Sequence, residues 1–280
     1  MLISNEWNDY VLIDANRGNR LEKWGTFTLI RPDPSAFWNL DSTASWQNTD
    51  AIYLRSQNGG GEWKFNKKLP NKWQINYKDM KFWVKPMGFK HVGIFPEQAI
   101  NWDYIRQNLE KGDKILNLFA YTGGATIAAG LKGAEVVHVD ASKGIIQMAK
   151  ENAELNGLEN HPIRYIVDDC AKFVAREIRR GNKYDAIILD PPSYGRGSSG
   201  EVWKIEDSLT DLFNLCKQVL SETAKFVLIN SYTTGLSPCA ISALTQMIFG
   251  GNIKAAELGL PIQSRNGVPL PSGCSVRIEF

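Results

Sequence analysis

No stretch of this chain approaches the roughly 20 consecutive apolar residues that span a bilayer. The opening MLISNEWNDY lacks the basic segment and apolar core of a secretory leader, so a cytoplasmic protein without a membrane partner is expected. Cysteine is scarce and scattered: Cys170, Cys216, Cys239 and Cys274 form no CxxC pair and no Cys/His metal spacing, which fits a reducing compartment. The three histidines, His91, His138 and His161, show no ligand spacing, and no metal site is expected. Charge of one sign is lacking too. The net charge of +2 splits into +3 for residues 1–100 and −1 for the rest, which neither announces nor excludes a nucleic-acid partner. GxGxxG is absent, which argues against a dinucleotide cofactor.

What is present divides into two textures. Seven of the nine tryptophans lie before residue 100, among short strand-like runs such as TFTLI (26–30), WQINY (73–77) and KFWVK (81–85). Turn signals separate them: RPDP (31–34), NGGG (58–61) and LPNK (69–72). This pattern predicts a small antiparallel β domain over residues 1–84 whose aromatics fill its core. A sharper reading makes Lys64, Lys67, Lys68 and Lys72 part of a surface on which bases stack.

After a connecting segment, 85–112, strands and helices alternate. Strands are expected at 114–119, 135–140, 163–167, 184–190 and 224–230. Helices are expected at 124–132, 142–156, 170–180, 205–220 and 238–249. Such repetition predicts an α/β domain, 113–280, with a parallel sheet covered on both faces. The last two strand candidates, 253–258 and 274–280, have no helix between them and predict an antiparallel hairpin across a loop at 261–273.

Two motifs carry chemistry. In KILNLFAYTGG (114–124) a buried strand enters a loop whose late glycines, Gly123 and Gly124, let the backbone approach a ligand and open a helix. The next strand ends at Asp140, 21 residues after Phe119, where a carboxylate accepts ribose hydroxyls. The loop suits a nucleoside with an amino-acid tail better than a pyrophosphate. Asp168-Asp169 ends the third strand; Asp169 is the choice for an adenine amine, while one of the pair caps the next helix. The second motif is DPPSYGRG (190–197). Two prolines remove N–H donors, leaving the Asp190 carboxylate and main-chain carbonyls such as that of Pro191 to aim a hydrogen-bearing nucleophile. Tyr194 stacks on a flat base, and Arg196 and Lys204 suit a phosphate.

In this order, NLFAYTGG, the acid of VHVDAS, DD and DPPSY resemble the class I S-adenosylmethionine-dependent methyltransferases. The nearer likeness is to the bacterial large-subunit ribosomal-RNA methyltransferases of the cytosine-C5 type, through N-x-F-x-Y-T-G-G, DPP-x-aromatic and a stretch like GFKHVGIFPEQ (88–98). The resemblance implies a Rossmann-like sheet of seven strands, the last antiparallel. It also implies S-adenosylmethionine held by Asn117, Phe119, Ala120, Tyr121, Thr122, Gly123, Gly124, Asp140, Ala141, Ser142, Asp168 and Asp169. Phe95, Pro96 and Gln98 would close over its methionine end. Asp190, Pro191 and Tyr194 would be catalytic. The family's cysteine after the fifth strand is missing from INSYTTG (229–235), and Cys239 reads as a small buried hydrophobe. The expected activity is therefore methyl transfer to a nitrogen or another base atom that needs no covalent intermediate, with ribosomal RNA as substrate. A protein or small-molecule acceptor is the alternative, and a non-enzymatic RNA-assembly factor the third reading.

Overall fold

The computed structural model describes residues 1–56, 60–196 and 202–280; part of the NGGG turn and Gly197 lie outside them, as does the side chain of Arg196. It falls into two units, 1–100 with 258–272, and 101–257 with 273–280.

The first unit contains β1 (Leu2–Ile3), β2 (Tyr10–Asn16), β3 (Asn19–Trp24), β4 (Phe27–Pro32), β5 (Ala51–Arg55), β6 (Gly61–Phe65), β7 (Trp73–Tyr77) and β8 (Met80–Val84). Strands β2 to β6 form one sheet in sequence order, and β7 and β8 form a hairpin. The antiparallel expectation holds with one correction: β4 and β5 pair in parallel, because the 18 residues between them cross over instead of turning back. Alternation explains burial. Trp73, Ile75 and Tyr77 face inward on β7, and Met80, Phe82 and Val84 do so on β8.

The core of this unit also holds charge. The Glu22 carboxylate is buried and accepts hydrogen bonds from Arg31 Nε (2.6 Å), Arg31 Nη2 (2.7 Å) and the Tyr10 hydroxyl (2.8 Å). Burial alone would raise its pKa, but the guanidinium groups of Arg31 and Arg20 hold it below the usual carboxylate range. Arg31 Nη1 also donates to the Lys90 carbonyl (3.0 Å), and Lys90 Nζ donates to the Pro32 carbonyl (2.8 Å). These bonds pin a turn in which Phe89 and Lys90 are both left-handed, at φ 55° and 64°.

The second unit begins with α1 (Ala99–Asn108) and continues through β9 (Lys114–Leu118), α2 (Gly124–Gly130), β10 (Glu135–Asp140), α3 (Lys143–Leu155), β11 (Ile163–Val167), α4 (Cys170–Arg180) and β12 (Ala186–Leu189). A short ribbon follows, β13 (Tyr194–Arg196) with β14 (Val202–Lys204), and then α5 (Ile205–Gln218), β15 (Phe226–Ser231), α6 (Pro238–Ile248), β16 (Asn252–Pro261) and β17 (Pro269–Glu279). The sheet order is β1-β16-β17-β15-β12-β9-β10-β11, the two-residue β1 lying outside the seven strands expected. The central pairs are parallel and β17 runs antiparallel to β15, as the methyltransferase likeness implies. The final two strands are longer than expected, and the loop between them is shorter; their outer residues, 258–272, belong to the first unit, where Leu2 and Ile3 pair with Leu258 and Gly259.

Local sequence explains the helices. On α4, Cys170, Phe173, Val174 and Glu177 form one buried face, Asp169 caps the start and left-handed Gly181 ends it. Phe173 joins Phe213 of α5, Ile241 of α6 and the strand residues Leu116, Ile187 and Val227 in one core. Each such buried side chain contributes about 1.5–3 kcal/mol.

Candidate active site at the carboxyl edge of the sheet

The register aligns Leu118 with Val139 and Leu189, and Leu189 with Ile229. The loops after β9, β10, β12 and β15 therefore leave one edge of the sheet side by side. The chain order reverses between β9 and β12, the place where open α/β sheets bind ligands.

The loop after β9 is held in a costly shape. Phe119 and Tyr121 are left-handed, at φ 54° and 50°. Such conformations cost on the order of 1–3 kcal/mol each and persist only where the surroundings enforce them. Asp140 provides part of that enforcement: Oδ2 accepts Tyr121 N (3.1 Å) and Oδ1 accepts Ser142 N (2.9 Å). Burial raises the Asp140 pKa, and these two bonds oppose the rise. Each oxygen keeps a further lone pair for a ribose hydroxyl. Phe119 N meets Cys170 Sγ at 3.3 Å, Ala120 N donates to the Val139 carbonyl (3.0 Å), and the Thr122 carbonyl accepts Asn152 Nδ2 (3.0 Å). Asn117 is buried beneath the loop and donates to Thr126 Oγ1 (2.9 Å), which lies 2.8 Å from His138 Nδ1. Ala141 is exposed, and Ser142 caps α3 through Ile145 N.

The two glycines have different roles. Gly123 takes φ 90°, which a side chain would disfavour. At Gly124 an added Cβ would lie 2.8 Å from the Trp102 indole of α1, so this glycine answers packing within the unit. Gly124→Ala should cost about 1–3 kcal/mol in a denaturant titration; unchanged stability would contradict this.

His138 is a buried residue that scattered histidines in a sequence do not reveal. Burial pushes its pKa down to about 3. The imidazole is neutral in the fold and gains a proton on unfolding below pH 6.5, so stability is full above that pH and falls as pH drops. At 1.36 kcal/mol per pH unit, the loss from pH 6.5 to 5 is about 2 kcal/mol. Asp140 acts with opposite sign, since its raised pKa relieves a burial penalty on protonation. Comparing urea titrations of wild type and His138→Asn at pH 7 and 5 isolates the imidazole: the variant should lose about 2 kcal/mol less, and equal losses would contradict the assignment.

The acids after β11 are both engaged. Asp169 Oδ1 caps α4 through Lys172 N (2.9 Å), and Asp168 pairs with Arg176 while its Oδ1 accepts Asp169 N (2.9 Å). Asp190 is half-buried and Pro191 buried at the end of β12. The Pro192 carbonyl accepts Trp203 Nε1 at 2.6 Å. The Trp203 ring packs on Phe119 (5.2 Å between centroids), joining the two loops. Ser193 Oγ lies 2.7 Å from Thr233 Oγ1 of the segment after β15. Tyr194 is half exposed on the β13–β14 ribbon. Lys204 is exposed at the start of α5. Cys239 is exposed in the first turn of α6, not buried as expected.

The remaining three expected residues belong to the first unit. Phe95 packs edge-on to His91 (5.4 Å), the Pro96 carbonyl accepts Ser4 Oγ (2.8 Å) and Trp7 Nε1 (2.9 Å), and Gln98 is buried. Glu97 between them is buried as well, and burial raises its pKa. A separate cavity of about 500 Å³ lies among Gly133, Asn156 and His161 and contains none of these residues.

The geometry is that of a sheet edge with a strained loop, a paired acid and a proline-stiffened rim. Residues 40–243 match the profile of the S-adenosylmethionine-dependent methyltransferases. The chain belongs to this family. A crystallised SAM-dependent methyltransferase from Agrobacterium tumefaciens is 37% identical and superposes with a TM-score of 0.93, covering 99% of this chain and 92% of that one. A Shewanella baltica protein named ribosomal RNA large subunit methyltransferase K/L is 31% identical over 153 residues, which are 54% of this chain and 21% of that protein. A Methanocaldococcus jannaschii protein, also named for a ribosomal RNA large subunit methyltransferase, is 37% identical over 120 residues, 43% of this chain and 31% of that protein. The chain thus spans between a fifth and a third of the length of these curated relatives. The site fits the family's cofactor: each Asp140 oxygen keeps a lone pair for a hydroxyl donor, and NLFAYTGG has only late glycines, without the GxGxxG that brings backbone against a pyrophosphate. No described helix is long and apolar enough to cross a membrane, and no group of metal-ligating side chains occurs among the described residues.

Proposed function

We propose that this enzyme methylates a base of RNA, with ribosomal RNA as the substrate class. The observation that carries this reading is the charge of residues 55–90. They hold nine Lys and Arg against two acids, Glu62 and Asp79, in a chain whose net charge is only +2; Lys67 and Lys78 pair with Asp50 and Glu6 and Lys90 is tied to the Pro32 carbonyl, which leaves six other cations in the segment. Phe65 and Phe89 are 53% and 73% exposed in the same segment, and Lys72 lies 4.7 Å from the Trp83 ring centre. Cations interleaved with exposed rings suit a phosphate backbone and unstacked bases. The names of the Shewanella and Methanocaldococcus relatives support the same substrate.

S-adenosylmethionine supplies an electrophilic methyl group on a sulfonium. The chain's part is placement, worth up to roughly 7–11 kcal/mol of barrier in favourable cases. Asp140 orients the ribose. Asp190 accepts a hydrogen from the attacking nitrogen and takes its proton as the methyl is transferred, while the Pro191 carbonyl lines the same rim. Tyr194 holds the plane of the base. The cytoplasm is the compartment that fits this substrate.

The test is incubation with methyl-labelled cofactor and either unmodified total RNA or cell extract. Nuclease-sensitive label is the expected result, weakening steeply with salt. Label sensitive only to protease, or carried by a small molecule, would overturn the RNA reading.

A further inference from the structure

We infer that Asn230 is a hydrogen-bond donor to the acceptor base, and that Arg277 sets the direction of its amide through Asn101. The inference rests on the reading of the site as a base methyltransferase and adds a specificity residue to it.

Three donors converge on one oxygen. Arg277 Nη2 (2.8 Å), Arg277 Nε (3.3 Å) and Ser275 Oγ (3.1 Å) all approach Asn101 Oδ1. A guanidinium has only donors, so the Asn101 atom facing it is the carbonyl oxygen. The Asn101 NH₂ must then face away, and it donates to Asn230 Oδ1 at 2.9 Å. This occupies the Asn230 carbonyl and turns its own NH₂ outward. Arg277 is itself fixed, stacked on Tyr104 at 4.3 Å. All these groups are side chains of α1, β15 and β17, and Asn101 and Asn230 are 1% and 3% exposed.

Among the described residues nothing accepts a hydrogen from Asn230 Nδ2, and that atom is not among the fully enclosed polar atoms. A buried amide whose carbonyl is fixed and whose NH₂ is left over is a donor prepared for a ligand. Its position names the ligand. The register Leu189↔Ile229 brings Asp190, the first residue after β12, out beside Asn230 of β15, on strands whose axes lie about 4.8 Å apart. A carboxylate acceptor and an amide donor side by side read a base edge that places a hydrogen-bearing nitrogen next to an unprotonated ring nitrogen or a carbonyl. Donation to that neighbour does not make the attacking nitrogen more nucleophilic. Its effect is to fix the ring in its plane and to reject edges that lack the acceptor.

The test uses the full chain, methyl-labelled cofactor and unmodified total RNA. Asn230→Asp keeps the bond from Asn101 and replaces the donor with a second acceptor. At pH 8 it should lower kcat/KM about 10–100-fold with S-adenosylhomocysteine affinity unchanged. As pH falls toward 5 the carboxyl regains a proton, becomes a donor again, and activity relative to wild type should recover at least about fivefold. Asn101→Asp pairs with Arg277, so it preserves the fold, yet it accepts from Asn230 and reverses that amide; it should lose activity to a similar degree. If both variants keep wild-type kcat/KM, or Asn230→Asp loses activity equally at every pH, the inference fails while RNA methylation stands. If wild type itself labels no RNA, the underlying reading fails and this inference with it.

Discussion

Asp190→Ala should abolish methyl transfer, by about 10³-fold or more, while changing cofactor affinity by less than about threefold. The carboxylate stands at the end of β12, before two residues that have no N–H. In the proposed mechanism it accepts a hydrogen from the substrate and holds the attacking lone pair in line. Losing such a positioned acceptor typically costs two to four orders of magnitude. The groups proposed for the cofactor lie on or follow β9, β10 and β11 or lie at 95–98, outside the turn that this substitution alters. Single-turnover transfer and calorimetry with S-adenosylhomocysteine separate the two effects. A collapse of affinity in Asp190→Ala would show that the division between cofactor and acceptor groups is wrong.

Asp140→Ala should have the converse signature. It removes the acceptor for both Tyr121 N and Ser142 N, and hydrogen bonds to a charged group are worth roughly 1.5–3 kcal/mol each. Without them the left-handed residues Phe119 and Tyr121 lose part of what holds them in place. Cofactor affinity should fall at least about 100-fold, equivalent to about 2.7 kcal/mol, and stability should fall with it. Asp140→Asn retains one acceptor oxygen and should lose less. Retained affinity in Asp140→Ala would remove this residue from the ribose site.

The parallel strands and their helices were legible because their signals are local. The β10 strand, the β11 strand and α4 have the expected limits, and Ser142 caps α3 as its position suggests. What escaped reading depends on partners distant in sequence. Helix α1 was missed because its inner face carries buried Asn101 next to Trp102, which breaks an apolar stripe. Arg20, Glu22, Arg31 and Asp33 look like solvated charges in a row of residues, yet they neutralise one another inside the first unit. Trp203 gave no sign that it would bond Pro192 and pack on Phe119, 84 residues earlier. Gly124 looked like a ligand-facing glycine, and only the Trp102 ring shows why a side chain is refused there. The return of 258–272 to the first unit likewise depends on Leu2 and Ile3.

Calorimetric titration of the folded 280-residue chain with S-adenosylhomocysteine tests the central claim most directly, that the carboxyl edge of this sheet is built for an adenosyl cofactor. Saturable binding of one equivalent, lost in Asp140→Ala and kept in Asp190→Ala, is the predicted result. Absence of binding to wild type, or binding that Asp140→Ala leaves intact, would contradict it.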